Sequence, residues 1–331
     1  MAIKIDRKNG QFFLKTKSTV YVLGLFEGKH FVHLYYGRKG KDTELTCYNK
    51  RADFSPYSIE NGVKFYSDAA CLEYPTFGNG DYRATALRVR NLTTGGDTSS
   101  YVYKSAKKYR GRPELCGLPY AEAGEKTETL EITLEDKAAK ATLKLFYTIF
   151  PESDVISRYF TLENKGKGSL RIEKAMSLAL DIHRDDLDMI SLQGGYYNER
   201  VYQRAPLIHG NQRMFSRRGS TSHHFNPFFM LADKKTTEEK GEAYGFNFVY
   251  SGSYLDEVEV CCTGSTRVLV GLGDENFSYL LEAGESFTSP EAVMTYTTKG
   301  VGQVSRNMHK FVRSHILPKE KFEKRPVVLN S

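Results

Sequence analysis

TLEITL at 129–134, ATLKLFYTI at 141–149, VISRYFTLE at 155–163 and SLRIEKAMSLAL at 169–180 are four runs rich in β-branched and aromatic residues. They are separated by EDK (135–137), PESD (151–154) and NKG (164–166). Apolar and polar residues alternate through much of each run, the period of a strand with one buried face, and the separators carry the Asp, Asn, Gly and Pro that turns use. The short spacings leave no room for the helical crossover that a parallel sheet needs. The stretch therefore predicts an antiparallel meander of four strands with one face toward solvent.

Outward from this stretch, TVYVLGLF (19–26) and FVHLYY (31–36) flank Glu27, Gly28 and Lys29, a hairpin signal. Residues 37–80 are rich in turn formers, with Asp53-Phe54-Ser55-Pro56 and Asn61-Gly62 as punctuation. Further strands are expected at 228–231, 244–250, 258–262, 267–271, 277–281 and 292–298. One convincing helix is expected, where Val301, Val304, Met308, Phe311, Val312 and His315 recur at helical spacing before Pro318. Past a basic stretch, PVVL (326–329) has the composition of a buried strand.

The 331 residues suffice for one large domain or two ordinary ones. The 47 Lys and Arg exceed the 40 Asp and Glu by a net +7 that is spread through the chain, which speaks to solubility and gives no support to a nucleic-acid partner. Cys47, Cys71, Cys116, Cys261 and Cys262 show no paired spacing, so reduced thiols in a cytoplasmic protein are the simplest account. MAIKID (1–6) is charged where a signal peptide needs an apolar run, and no apolar stretch reaches the roughly 18 residues of a membrane span. A cytoplasmic protein with no membrane partner is expected. The 22 Tyr and 20 Phe, with no Trp, suit strands and surfaces on which sugars stack.

Three stretches concentrate polar chemistry. RRGSTSHHFNPFFML (217–231) sets two arginines, three hydroxyls, two histidines and an asparagine ahead of an apolar strand. Such groups either tie down their own backbone or face a ligand, and arginine with clustered hydroxyls suits a sugar or an anion. EYPTFGNGDYR (73–83) is a fixed loop in which Asp81 and Arg83 flank Tyr82, either as a salt-bridged turn or as a ligand contact. DIHRDDLD (181–188) bunches four carboxylates after a strand and reads as a solvated loop. His223 and His224 are adjacent while His183 and His209 stand alone, a pattern unlike a zinc site, so no metal is expected. No phosphate loop, dinucleotide fingerprint or nucleophile elbow occurs, so no cofactor is expected either.

Several segments recur in a fixed order: LYYG (34–37), EYPTFGNGDYR (73–83), CGLP (116–119), YTIF (147–150), MSLALD (176–181), Glu199-Arg200, RGSTSH (218–223) with NPF (226–228), Tyr244-Gly245 and VYSG (249–252). This series resembles the N-terminal region of glycoside hydrolase family 36 α-galactosidases. The resemblance implies an all-β fold: a large antiparallel β-supersandwich, galactose mutarotase-like, over 1–299, with a C-terminal linker helix over 300–318. It further implies the opening of a truncated catalytic (β/α)8 barrel over 319–331, since RPVVLNS (325–331) resembles that barrel's first strand.

The family hydrolyses terminal α-linked galactose with retention, using an Asp nucleophile in a Lys-Trp-Asp context and an Asp acid/base in a Gly-rich Arg-x-Asp context, the carboxyls roughly 5 Å apart. A chain without Trp lacks the first motif, and Arg51-Ala52-Asp53 lacks the glycines of the second. No catalytic residue is therefore expected, and the chain reads as the non-catalytic part of a longer enzyme. The implied partners are its own catalytic barrel, α-galactoside oligosaccharides through the parent enzyme, and copies of itself, because relatives form tetramers in which this region helps close a neighbour's sugar pocket. Rim candidates are Asp53 and Phe54, then Tyr82 and Arg83, then Arg218 and His223, with loop stabilisation as the alternative role of all six. Two other readings stand beside this one. One is a free-standing galactoside-binding β-sandwich; the other is a mutarotase-like enzyme that needs His183 or His209 in one cleft with Glu199.

Overall fold

The computed structural model describes residues 2–40, 44–47, 49, 55–273, 275, 277–317 and 326–329. The first four strands, β1 (Ile3–Asp6), β2 (Gln11–Lys15), β3 (Thr19–Phe26) and β4 (His30–Arg38), form an antiparallel sheet in chain order. A small hairpin follows, β5 (Ser58–Glu60) and β6 (Val63–Phe65), turning at the expected Asn61-Gly62. Next come β7 (Leu87–Asn91), β8 (Val102–Arg110), β9 (Glu128–Asp136), β10 (Ala141–Phe150), β11 (Val155–Asn164) and β12 (Leu170–Ile182). Residues 187–216, for which the sequence pattern predicts no strand, form β13 (Leu187–Gly195), β14 (Asn198–Pro206) and β15 (Gly210–Ser216). The chain continues through β16 (Phe225–Asp233), β17 (Ala243–Val249), β18 (Tyr254–Cys261), β19 (Ser265–Leu272), β20 (Tyr279–Leu281), β21 (Ser286–Thr288) and β22 (Glu291–Thr297) to the helix α1 (Val301–Phe311).

Two large sheets dominate. A ten-stranded sheet runs β14-β13-β16-β17-β22-β11-β10-β9-β8, with β21 also on β11, and a six-stranded sheet runs β15-β18-β19-β12-β20, with β7 also on β12. Leu143, Leu145 and Phe160 of the first share one core with Ile172, Val258 and Val268 of the second, so the sheets pack face to face as a sandwich.

The central stretch differs from its expectation in two ways. β9, β10 and β11 pair in succession, but β12 leaves them and pairs with β19, β20 and β7. The free edge of β11 is already taken by β22 and β21, which leaves no place there for β12. Nor is one face solvated: β10 is buried on both sides, because Phe146 and Tyr159 lie under Leu115 while Phe150 and Val155 lie under Phe311 of α1. The helix approaches closely because β17 carries Gly245, where an added Cβ would stand 2.3 Å from Val304 Cγ1.

In the PVVL run, Val327, Val328 and Leu329 are exposed and lie outside any strand. No helix among the described residues is long and apolar enough to cross a membrane. All five cysteines are free, with Cys261 buried at the end of β18 and Cys262 exposed in the turn that follows.

Candidate functional site

The loop between β15 and β16 divides its polar groups between the two roles open to it. The hydroxyls hold the backbone. Ser216 Oγ donates to Ser220 O at 2.5 Å, Ser253 Oγ accepts from Gly219 N at 2.9 Å, and Ser222 Oγ accepts from His224 N at 3.2 Å. Asn247 Nδ2 holds Pro227 O at 3.0 Å, and Thr221 N donates to Ser251 O at 2.8 Å. The longer side chains are left for solvent: Arg218 and His223 line an open cavity of about 470 Å³.

Glu199 and Arg200 complete that cavity from the start of β14. They reach it because the β13–β14 hairpin folds back through Gly194, which ties its N–H to His224 O at 3.1 Å, and through Tyr197 and Arg200, both at positive φ. Left-handed backbone at residues other than glycine is held only where surrounding contacts fix it. Tyr196 and Tyr197 stand exposed at the hairpin tip with ring centroids 4.0 Å apart. Glu199, Arg200 and His223 make no side-chain hydrogen bond or ion pair among the described residues. The Arg218 guanidinium lies 3.3 Å from the ring nitrogens of His224, and its charge lowers the His224 pKa.

The Asp81-Tyr82-Arg83 segment resolves differently. Arg83 is spent internally: its guanidinium bonds Asp81 Oδ1 at 2.8 Å, Ser67 O at 2.9 Å and Ala70 O at 2.7 Å, and it lies 3.4 Å from Asp181. Arg267, from β19, grips Asp181 with two bonds and Asp81 Oδ2 at 2.9 Å. Two arginines and two aspartates thus form one neutral buried cluster, the salt-bridged turn that the sequence allowed. Burial pushes the Asp81 carboxyl up, but the Arg267 and Arg83 guanidiniums outweigh it and hold it below the usual range. Asp181 is buried and bound, not part of the solvated loop read from its acidic neighbours. Tyr82 is 76% exposed directly above this cluster.

Of the six rim candidates, Arg218 and His223 share one cavity and Tyr82 and Arg83 touch another, with no lining residue in common. Asp53 and Phe54 lie outside the described residues. Glu199 and Arg200, absent from that set, belong with Arg218. The Gly-Gly-Tyr-Tyr-Asn run at 194–198, which has the composition of a hairpin turn, is the signal that could have found them. Neither His183 nor His209 joins Glu199 in its cavity: His183 Nε2 lies 3.3 Å from Cys71 Sγ and His209 bridges to Val260, while the histidine that lines the cavity with Glu199 is His223.

Residues 29–282 match the glycosyl hydrolase family 36 N-terminal domain. The chain belongs to this family. Residues 286–331 continue into a match to the melibiase family. The whole chain aligns at 37% identity with 46% of alpha-galactosidase AgaA of Geobacillus stearothermophilus. It aligns at 38% with 36% of the bifunctional alpha-galactosidase/sucrose kinase AgaSK of Mediterraneibacter gnavus. This family 36 chain therefore spans half or less of these relatives and corresponds to their N-terminal part. The solved α-galactosidase of Lactobacillus brevis superposes with TM-score 0.94 at 31% identity, over 98% of this chain and 44% of that one. AgaB of G. stearothermophilus superposes equally well at 36% identity, over 99% and 45%. An AgaA variant has been solved with raffinose and another with stachyose.

Proposed function

We propose that this domain serves an α-galactosidase that releases terminal α-linked galactose, from oligosaccharides of the raffinose and melibiose type, by retaining double displacement. The catalytic carboxylates lie on the barrel and not in this domain. In this reading residues 1–299 are the sandwich, 300–318 the linker helix and 319–331 the opening of the barrel. The domain joins subunits into a homo-oligomer, a tetramer on the pattern of the family, and its loops help close the sugar pocket of a cytoplasmic enzyme.

The observation that carries the rim role is the meeting of Arg218 and His223 with Glu199 and Arg200 on one open cavity, with three of the four side chains uncommitted to the protein itself. Cationic forks, an imidazole and a carboxylate so placed donate and accept as sugar hydroxyls require. Asp53 and Phe54 join the rim on the resemblance alone. Tyr82 presents an aromatic face, and Arg83 acts from beneath by fixing its loop. The test compares the 331-residue chain with the longer product of its reading frame on an aryl α-galactoside. Activity confined to the longer form, and reduced there by Arg218→Ala, supports the reading; hydrolysis by the 331-residue chain alone overturns it. Open cavities on this chain favour, as a second reading, a free-standing galactoside-binding module. Sugar binding with hydrolysis by neither form would identify that case.

A further inference from the structure

The six-stranded sheet carries a second cavity of about 540 Å³, and its floor is made of buried charge. β12 has a β-bulge between Ile172 and Lys174 where it pairs with β7. A bulge re-aims side chains, and here the sequence neighbours Glu173 and Lys174 both line the cavity. The Lys174 side chain is 6% exposed and pairs with Glu257, which is 1% exposed. Glu257 also receives Arg213 Nη2 at 2.7 Å and Asn211 Nδ2 at 3.1 Å. Arg213 stands directly across from Glu257 in the β15–β18 register. Two residues on, Glu259 shares the same face of β18 and accepts Ala84 N at 2.5 Å. The wall adds Arg88, held by Asp97 and Glu173 and lying 4.4 Å from the centre of the Phe77 ring. Tyr82 and Phe277 supply further aromatic surface.

A buried ion pair adds little net stability, since desolvation offsets most of the attraction. Set under an open cavity, it instead fixes donors and acceptors in place before any ligand arrives. Five cations line the cavity against three carboxylates; Arg83, Arg88, Lys174 and Arg213 are paired, the last two sharing Glu257, which leaves Arg171 as the wall's one cation without a partner among the described residues. Most of that positive charge is therefore spent on carboxylates of the protein itself and not left for an anion. No histidine lines it, so proton transfer by imidazole is not on offer there. Forked guanidiniums and an amide alternate with carboxylates beside aromatic rings. That set matches a neutral polyhydroxylated ligand, whose hydroxyls both donate and accept and whose C–H faces stack on rings. The volume lies in the range of small-molecule sites, roughly 300 to 1,000 Å³.

We propose that this cavity binds a neutral oligosaccharide, as a site separate from the rim formed around Arg218 and His223. It does not depend on the Arg218 and His223 cavity, with which it shares no residue, although the rim candidates Tyr82 and Arg83 line it. The experiment titrates the 331-residue chain with raffinose, using inorganic phosphate and galacturonate as anionic comparisons, by calorimetry and saturation-transfer NMR. Raffinose is expected to bind, and Arg213→Ala and Tyr82→Ala each to weaken it by about tenfold or more, while Lys137→Ala, at an exposed turn residue that lines neither cavity, leaves it unchanged. Arg213→Lys, which keeps the charge beside Glu257 but loses the fork, should show the same loss with an unaltered melting temperature. The proposal fails if the folded chain does not bind raffinose or if either anion binds more tightly. It fails equally if Arg218→Ala abolishes binding that Arg213→Ala and Arg213→Lys leave intact.

Discussion

Arg267 and Asp181 form a bidentate ion pair across adjacent strands, Nε to Oδ1 at 2.8 Å and Nη2 to Oδ2 at 2.9 Å, with side chains 0% and 1% exposed. Asp81 and Arg83 close the cluster from the loop beneath Tyr82. Removing one member leaves a buried charge uncompensated. Arg267→Met is expected to lower stability by about 3 to 5 kcal/mol, read as a shift in the urea midpoint, and to loosen the Tyr82 loop toward proteolysis.

The same cluster sets an acid limit. Because the folded pKa of Asp81 is depressed, its contribution is present above the ordinary carboxylate pKa of about 4 and is lost as pH falls through the lower folded value. Denaturation curves between pH 6 and about pH 2 should show stability dropping at the acid end. Asp81→Asn should remove part of that drop while lowering stability at pH 6.

Asp256 acts in the opposite sense. It lies on the inward face of β18, opposite Met214 and Val270, with both carboxyl oxygens buried and unpartnered among the described residues. Burial pushes its pKa well above the usual range. Such a group holds its proton in the folded chain after the unfolded chain has released it. Stability should therefore fall by about 1.4 kcal/mol per pH unit from roughly pH 4 up to the folded pKa. Asp256→Asn is expected to flatten this slope and to be more stable than the parent at neutral pH; an unchanged slope would show that Asp256 is charged in the fold.

Gly245 and Val304 should couple. Gly245→Ala places a Cβ 2.3 Å from Val304 Cγ1 and is expected to destabilise by about 1 to 3 kcal/mol. Val304→Ala removes that clash, so the double mutant should lose less than the sum of the single losses. Strict additivity in a denaturation cycle would mean that α1 docks elsewhere.

On the open loop, Arg218 holds down the pKa of His224. Arg218→Ala should let His224 titrate at higher pH, visible in the proton NMR shifts of its ring, with His223 as the internal comparison.

Much of the architecture is legible from local pattern. The hairpin around Glu27-Gly28-Lys29, the strands of 129–163 and the helix starting at Val301 match the described elements within a few residues. Strands β13 to β15 escaped because their outward faces are polar: β14 is exposed along nearly its whole length and shows no apolar alternation. The second cavity had a quieter signal, Glu257 and Glu259 at alternate positions of one strand, where carboxylates need buried partners.

By itself the sequence determined the antiparallel β class, the helix near the C-terminal end and the family, since side-chain period, turn chemistry and ordered motifs are local properties of a chain. The tertiary structure alone decided that β12 crosses to the second sheet, because a strand pairs with whichever edge is free once the others are taken. It also decided that Arg83 is spent on carboxylates while Arg218 faces open space. Asp81 and Arg267 stand 186 residues apart in the chain and 2.9 Å apart in the fold. An arginine's role depends on which charges the fold brings within a few ångströms, and no local pattern carries that distance.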